Sequence, residues 1–478
     1  MMNKNDICFT SATDLARLVK NREISPVEIM EAIISRIEQY NVLINAFSEL
    51  CLDNALKAAQ KAESDVVKND TLGPLHGVPF SVKDLLITKD VRTTFGSHIF
   101  ENNIPIEDAP CVHRLKKAGG ILIGKTTTPE FGHKALTDSP LFGITRNPWN
   151  LERTPGGSSG GASAAVAAGL GPLAVGTDGG GSVRIPASCT GIIGLKATLG
   201  RVPHPQSPDL FGNLSHIGPM TRTISDAALM LDVMAGPDIG DPHSYGLFKD
   251  DYQTVIINKG SKLLKGKKVA WCATLGNTQV ESEVIEITKE SLKVFNNFGC
   301  EIEEVAPDFE SFEDFYLVLM YSNLAARLNQ YVKSYQKKID PSLRYAIEKG
   351  NQYTAPDLQK SIYMRSQLFQ KIQHFFNIFD LLITPTLSSP AIEATHNALD
   401  PITVNGKISG SLRGAWYPYT HPFNMSGNPA ISIPCGWTKA DLPVGLQIVG
   451  PWLKEKDVLL AAAAIEVEKP WSHKRPSF

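Results

Sequence analysis

A large share of the chain's 38 glycines falls in one block, residues 156–200, where glycine is packed with serine and alanine. A flexible linker uses the same residue types but lacks the apolar run Ala164–Leu170 and the strand predicted after it. The block therefore reads as backbone shaped closely around a site, since glycine allows conformations and approaches that a Cβ forbids. Around it the texture is of short apolar segments separated by Gly/Pro turns and helices. Strands are predicted at Val78–Val82, Ile121–Ile123, Leu173–Val175, Lys268–Trp271, Leu381–Thr384 and Ala430–Pro434. Mixed with helices, they predict an α/β fold with a covered sheet.

The N-terminal stretch, 1–64, reads as helical. Ser25-Pro26-Val27-Glu28 is a capping box with proline at the first helical position. Val27, Met30, Ile33, Ile34 and Ile37 then share one face. Residues 307–371 read as an aromatic-rich helical lobe near the site. No repeat or Pro/Ser-rich hinge splits the 478 residues, so one domain is expected.

Charge and cysteine usage exclude several functions. Lys+Arg 47 against Asp+Glu 49 leaves no basic excess for nucleic acid and no polybasic cluster for an anionic membrane. The seven cysteines are scattered and form no C-x-x-C pair, which fits free thiols in a reducing compartment and argues against zinc. Met1–Lys20 lacks the apolar core of a signal peptide. The longest apolar run, Val458–Ile465, is far below the ~18–20 residues of a membrane helix. The expectation is a cytoplasmic protein with no metal, no nucleic-acid partner and no membrane partner.

Three patterns compete for the chemistry. Gly119–Thr126 matches the Walker A spacing, but its central positions are mostly Ile and Leu and Pro129 follows at once, so it reads as strand and turn. Gly156-Gly157-Ser158-Ser159-Gly160-Gly161 contains G-x-S-x-G twice. A nucleophile elbow needs a strand before it, whereas Asn147–Pro155 is a turn-rich loop. His204, His216 and His421 lie downstream, and nothing singles one out as a base. The third pattern is a combination: Lys83 at the end of an apolar strand, Ser158 in the glycine block, and Ser182 in Gly176-Thr177-Asp178-Gly179-Gly180-Gly181-Ser182-Val183-Arg184-Ile185-Pro186. Each residue alone has a bland reading as a strand end, an N-cap or a turn. Their joint occurrence is far rarer.

These segments resemble the amidase signature family, serine hydrolases that use a Ser–cis-Ser–Lys triad. Gly73–Pro79, Gly124–Phe131, Asn147–Asn150, Gly218–Arg222 and Gly427–Pro434 extend the resemblance over most of the chain. It implies one amidase domain over 1–478, with a large mixed β-sheet sandwiched between α-helices and a catalytic signature core at 73–235. It implies Ser182 as nucleophile, Ser158 as bridging serine after a cis peptide, and Lys83 as base. Gly179, Gly180, Gly181 and Ser182 would form the oxyanion hole. Ser159, Thr177, Asp178 and Arg184 would be the supporting shell, with an Asp178–Arg184 pair holding the loop. At Gly179 the chain departs from the Thr or Ile common in the family. The chemistry agrees, because serine needs an adjacent base and lysine serves only when burial keeps it neutral.

The reading is an amidohydrolase forming an acyl-enzyme, without cofactor, acting on a small-molecule amide as a monomer or homodimer. An ester or carbamate hydrolase would use the same chemistry. The alternative within the family is the glutaminase component of a tRNA-dependent amidotransferase. That component usually has Gln where Ile185 stands, and an Asp gripping the glutamine ammonium near the position of Tyr417. Aromatics at the entrance are expected among Phe211, Tyr316, Tyr321, Tyr353, Trp416, Tyr417, Tyr419 and Phe423, half of them core. Phe211, Tyr321, Trp416 and Tyr417 are the substrate-pocket candidates.

Overall fold

The computed structural model describes residues 3–477 apart from 69, 248–249, 260–262, 278 and 310–311. Eleven strands form its central sheet. In chain order they are β1 (Phe47–Leu50), β2 (Pro79–Lys83), β3 (Ile121–Thr126), β4 (Leu173–Asp178), β5 (Ile193–Lys196), β6 (His216–Thr221), β7 (Lys268–Trp271), β8 (Glu301–Glu304), β9 (Leu381–Pro385), β10 (Ala430–Trp437) and β11 (Pro443–Val449). They lie in the order β1-β3-β2-β4-β6-β5-β10-β11-β9-β7-β8. β2 is parallel to β3 and β4, and β7 is parallel to β8 and β9. The remaining pairs are antiparallel.

All six predicted strands are present, and five more join them. β1 interrupts the N-terminal stretch expected to be helical throughout. Its cause is Asn45, which takes the left-handed conformation (φ 56°) at the end of the helix Pro26–Ile44. The Asn45 amide donates to the carbonyls of Phe142 and Ile144, and β1 then pairs with β3. Both residues of the predicted Ser25–Glu28 capping box make their reciprocal hydrogen bonds.

Every residue of β2, β4, β6, β9 and β11 is buried, so the sheet is covered on both faces. The β8 edge, Glu-Ile-Glu-Glu, is largely exposed, and its charges discourage pairing with another chain. Six helices matter for the site: α1 (Pro26–Ile44), α2 (Gly160–Ala167), α3 (Arg184–Thr190), α4 (Glu313–Tyr335), α5 (Pro341–Gly350) and α6 (Ala355–Phe375). α2 and α3 are fully buried against the sheet. α4, α5 and α6 make up the predicted helical region, and α4 and α6 contribute walls to the large cavity above the sheet. No helix among the described residues is long and apolar enough to cross a membrane.

Candidate active site

β2 and β4 are adjacent and parallel, with Val82 opposite Val175, so their C-terminal ends open on the same edge of the sheet. Ligand sites of α/β sheets form outside such carboxyl ends. Lys83 is the last residue of β2, and Thr177 and Asp178 end β4. Ser158 and Ser159 lie just before α2, and Ser182 lies two residues before α3. The sheet thus gathers groups that the sequence separates by about a hundred residues.

Lys83 is fully buried. Its Nζ lies within hydrogen-bonding distance of Ser158 Oγ (2.7 Å), Ser159 Oγ (2.8 Å) and Thr177 Oγ1 (3.0 Å), and it forms no ion pair among the described residues. Burial therefore pushes its pKa well below the usual lysine value, only partly offset by the Asp178 charge. The Gly157–Ser158 peptide is cis. Gly132, at φ 69°, faces Ser158, and a Cβ there would come 3.0 Å from the Ser158 Oγ. Ser182 is partly exposed on the same cavity as Ser158, and its hydroxyl has no partner among the described residues. No hydrogen bond joins Ser158 to Ser182.

The glycine loop between Asp178 and Ser182 is held by its carbonyls. Tyr316 Oη donates to the Gly179 oxygen (2.8 Å), and Thr420 Oγ1 donates to the Gly180 oxygen (2.7 Å). Asn424 and His216 meet the Asp178 oxygen. With the carbonyls drawn outward, the N–H groups of Gly179, Gly180 and Ser182 donate to no group among the described residues. Gly181 differs from the sequence expectation. Its N–H, expected to be free for an oxyanion, donates instead to Asp178 Oδ1 (2.6 Å). Its φ of 123° and the close approach of Thr420 exclude any side chain there.

Asp178 and Arg184 form a buried bidentate pair, with both bonds at 3.0 Å. Burial alone would raise the Asp178 carboxyl, but Arg184, Lys196 and Asn424 outweigh it and hold the pKa well below the usual range. The remaining Arg184 donors go to Asn424, Gln447 and the Thr420 carbonyl, so one guanidinium ties the loop to residues 420–447. Thr420, Asn424 and Gln447 escaped the sequence reading, and His216 was named there only as one of three histidines that nothing singles out. Gln447 is a lone polar residue in an apolar strand, and Thr420 and Asn424 lie among aromatics that were read only as candidate pocket or core residues.

These groups open onto a cavity of about 1190 Å³. Phe211 and Tyr417 line it, Phe211 at the mouth with 81% of its surface exposed. Trp416 and Tyr321 do not. A single π-helical turn, Leu412–Trp416, directs the Trp416 indole into a separate core, where its N–H donates to the Ser389 carbonyl. Tyr321 packs against the hydrophobic cluster between α4 and α5. Of the other aromatics expected at the entrance, Tyr316 lines the cavity, whereas Tyr353, Tyr419 and Phe423 do not. Among the described residues, no cluster of three or more side chains could hold a metal ion.

The family model for amidases matches residues 28–459. The chain is 38% identical to an acylamidase of Rhodococcus erythropolis, covering 100% of this chain and 99% of that protein. It is 35% identical to the glutamyl-tRNA(Gln) amidotransferase A subunit of Moorella thermoacetica, covering 98% and 99% of the two chains. A bacterial aryl acylamidase of the amidase signature family superposes with a TM-score of 0.89 at 31% identity, over 97% of both chains. A 6-aminohexanoate cyclic dimer hydrolase gives 0.87 at 30%, over 98% and 99%.

Proposed function

The chain belongs to the amidase signature family and hydrolyses carboxylic amides, and on that premise we propose that Ser182 is its nucleophile, Ser158 its proton relay and neutral Lys83 its base. The observation that carries this reading is the ammonium-poor setting of Lys83: buried, lowered in pKa, and surrounded by hydroxyls rather than acids. Lys83 takes the Ser158 proton while Ser158 takes that of Ser182, and the Ser182 oxygen attacks the amide carbonyl. The oxyanion forms against the N–H groups of Gly179, Gly180 and Ser182, donors worth ~2.7–4 kcal/mol each in comparable sites. On collapse the C–N bond breaks and the relay returns a proton to the departing amine. Water then releases the acid from the Ser182 ester by the same route.

Similarity to an acylamidase and an aryl acylamidase supports acyl amides with an apolar portion as substrates. The cavity walls agree, since Leu85, Phe95, Phe131, Leu319 and Phe369 are among them. Full-length similarity to amidotransferase chains favours a second reading, a glutaminase half-reaction. Against it stand Ile185 and Tyr417 where such chains have Gln and Asp, and the absence of a buried acid among the lining residues. We read the chain as one domain, because β1 to β11 share one sheet from residue 47 to 449. The cysteines are free thiols, which supports a reducing, cytoplasmic location.

Fluorophosphonate labelling followed by intact mass measurement tests the assignment. Wild type should take up one label on Ser182. S182A should take up none and lose turnover while keeping its circular dichroism spectrum. S158A should lose turnover by about 10²-fold or more, because relay members act as a unit. Labelling of S182A at an unchanged rate overturns the assignment.

A further inference from the structure

The cavity is unevenly charged although the whole chain carries a net charge of only −2. Its lining includes Lys134, Arg327, Arg365 and Arg413 but a single acid, Asp209, which is exposed. Lys134 is paired with Asp138 and Asp340, and Arg365 donates to the carbonyls of Met425, Gly212 and Asn213. Arg413 forms no ion pair among the described residues and sits among tyrosines instead. Its Cζ lies 4.8 Å from the Tyr316 ring centroid and 5.3 Å from that of Tyr417, and one of its nitrogens makes a weak contact with Met320 Sδ at 3.7 Å. The neighbouring acid, Glu313, accepts from Ser411. Arg413 is partly buried and lies against the glycine loop, since a Cβ on Gly180 would come 3.3 Å from one guanidinium nitrogen.

A guanidinium held between two aromatic faces is positioned but not neutralised. Its fork of N–H donors matches the paired oxygens of a carboxylate, the anion an organic amide most commonly carries. We propose that Arg413 determines substrate choice by receiving a carboxylate that the amide itself carries close to the scissile carbonyl. The substrates are then amides with an apolar part and an anionic end, and without an ammonium group that Arg327 and Arg413 would repel. The inference rests on the assignment of Ser182 and adds to it the class of substrate. It covers a carboxylate on either the acyl or the amine side, and the two arms of the test separate these.

The test uses the full chain and two matched pairs. N-phenylsuccinamate against N-phenylpentanamide places the carboxylate on the acyl side, and 2-acetamidobenzoate against 2-acetamidotoluene places it on the amine side. In one pair the carboxylate member should lead by about tenfold or more in kcat/KM, mainly through KM, as one charge-assisted contact provides. R413Q should remove that lead, costing the carboxylate member at least about tenfold more than its neutral partner, and R413K should restore part of it. Calorimetry on S182A reads the same preference as a dissociation constant, independent of turnover. Equal loss for both members of each pair would assign Arg413 to positioning Tyr316 and the glycine loop and would overturn the proposal. No preference for either carboxylate in rate or binding would overturn it too. Carboxylate binding that depends on Arg413, with no turnover of any of the four amides, would instead overturn the hydrolase assignment and leave the anion site standing.

Discussion

A buried lysine surrounded by hydroxyls is an unusual use of polar surface, and if Lys83 is the base proposed above its protonation bears on both rate and stability. The Lys83 pKa is lowered, chiefly by burial. Activity should therefore rise with pH as Lys83 loses its proton and stay high on the alkaline side, read as kcat/KM against pH. The stability sign is the same. Between the lowered folded value and the ordinary value of 10.5 the unfolded chain holds the proton that the folded chain lacks, so stability increases with pH there. K83M should lose about 10²-fold or more in turnover without losing melting temperature, because a similar volume is buried with no polar end. A substantial drop in melting temperature would mark Lys83 as structural instead. Thr420 acts one step further out, by holding the Gly180 carbonyl. T420V leaves that carbonyl unpaired and should lower kcat by about 10-fold with little change in KM, and T420S should recover most of it. An effect confined to KM would contradict a role in orienting the oxyanion donors.

At the scale of elements, the segment that follows β3 and runs past Ser158 is bolted to α5 of the helical lobe. Glu130 accepts from Ser97 (2.6 Å) and from the Asp340 N–H (2.6 Å), the residue that caps α5, while His133 meets Ser342 (2.7 Å). Burial pushes the Glu130 carboxyl from 4.5 up to about 7. A raised acid contributes stability in its neutral form: fully below 4.5, and progressively lost as pH rises through about 7. E130Q is neutral throughout, so its melting temperature minus that of wild type should increase between about pH 5 and about pH 8. A difference independent of pH would show that Glu130 does not titrate in the fold. The strands β8 and β6 were invisible to hydrophobic patterning for separate reasons. β8 is an edge of three glutamates around Ile302, and β6 carries Gly218 and Pro219 in its middle. Neither shows the alternating or continuous apolar run by which strands are read. β2, β4 and β9, buried on both faces, are such runs and were legible.

For the molecule as a whole, the cavity lining carries four basic side chains against one acid. Glutamine would bring an ammonium group into a chamber whose one lining acid is exposed Asp209. Amides without an ammonium group should exceed glutamine by about tenfold or more in kcat/KM, a difference of ~1.4 kcal/mol. Preference for glutamine, or activity only with partner subunits and charged tRNA, would favour the amidotransferase reading. The sequence by itself determined the α/β class, the strands with continuous apolar runs, and the positions of Lys83, Ser158 and Ser182. The strands follow from local chemistry, whereas the three residues stood out only through their joint occurrence and the family resemblance it carries, each alone reading as a strand end, an N-cap or a turn. Tertiary structure alone decided that Gly181 gives its N–H to Asp178 while its neighbours keep theirs, because Thr420, Asn424 and Tyr316 grip the loop from more than 130 residues away in the chain. It alone decided that Tyr417 reaches the cavity while the adjacent Trp416, buried in the same cluster, does not, two aromatics that composition cannot distinguish. The physical reason is the same in each case. Which way a hydrogen-bonding group or a ring faces is set by partners that folding brings together, and no local pattern encodes partners so distant.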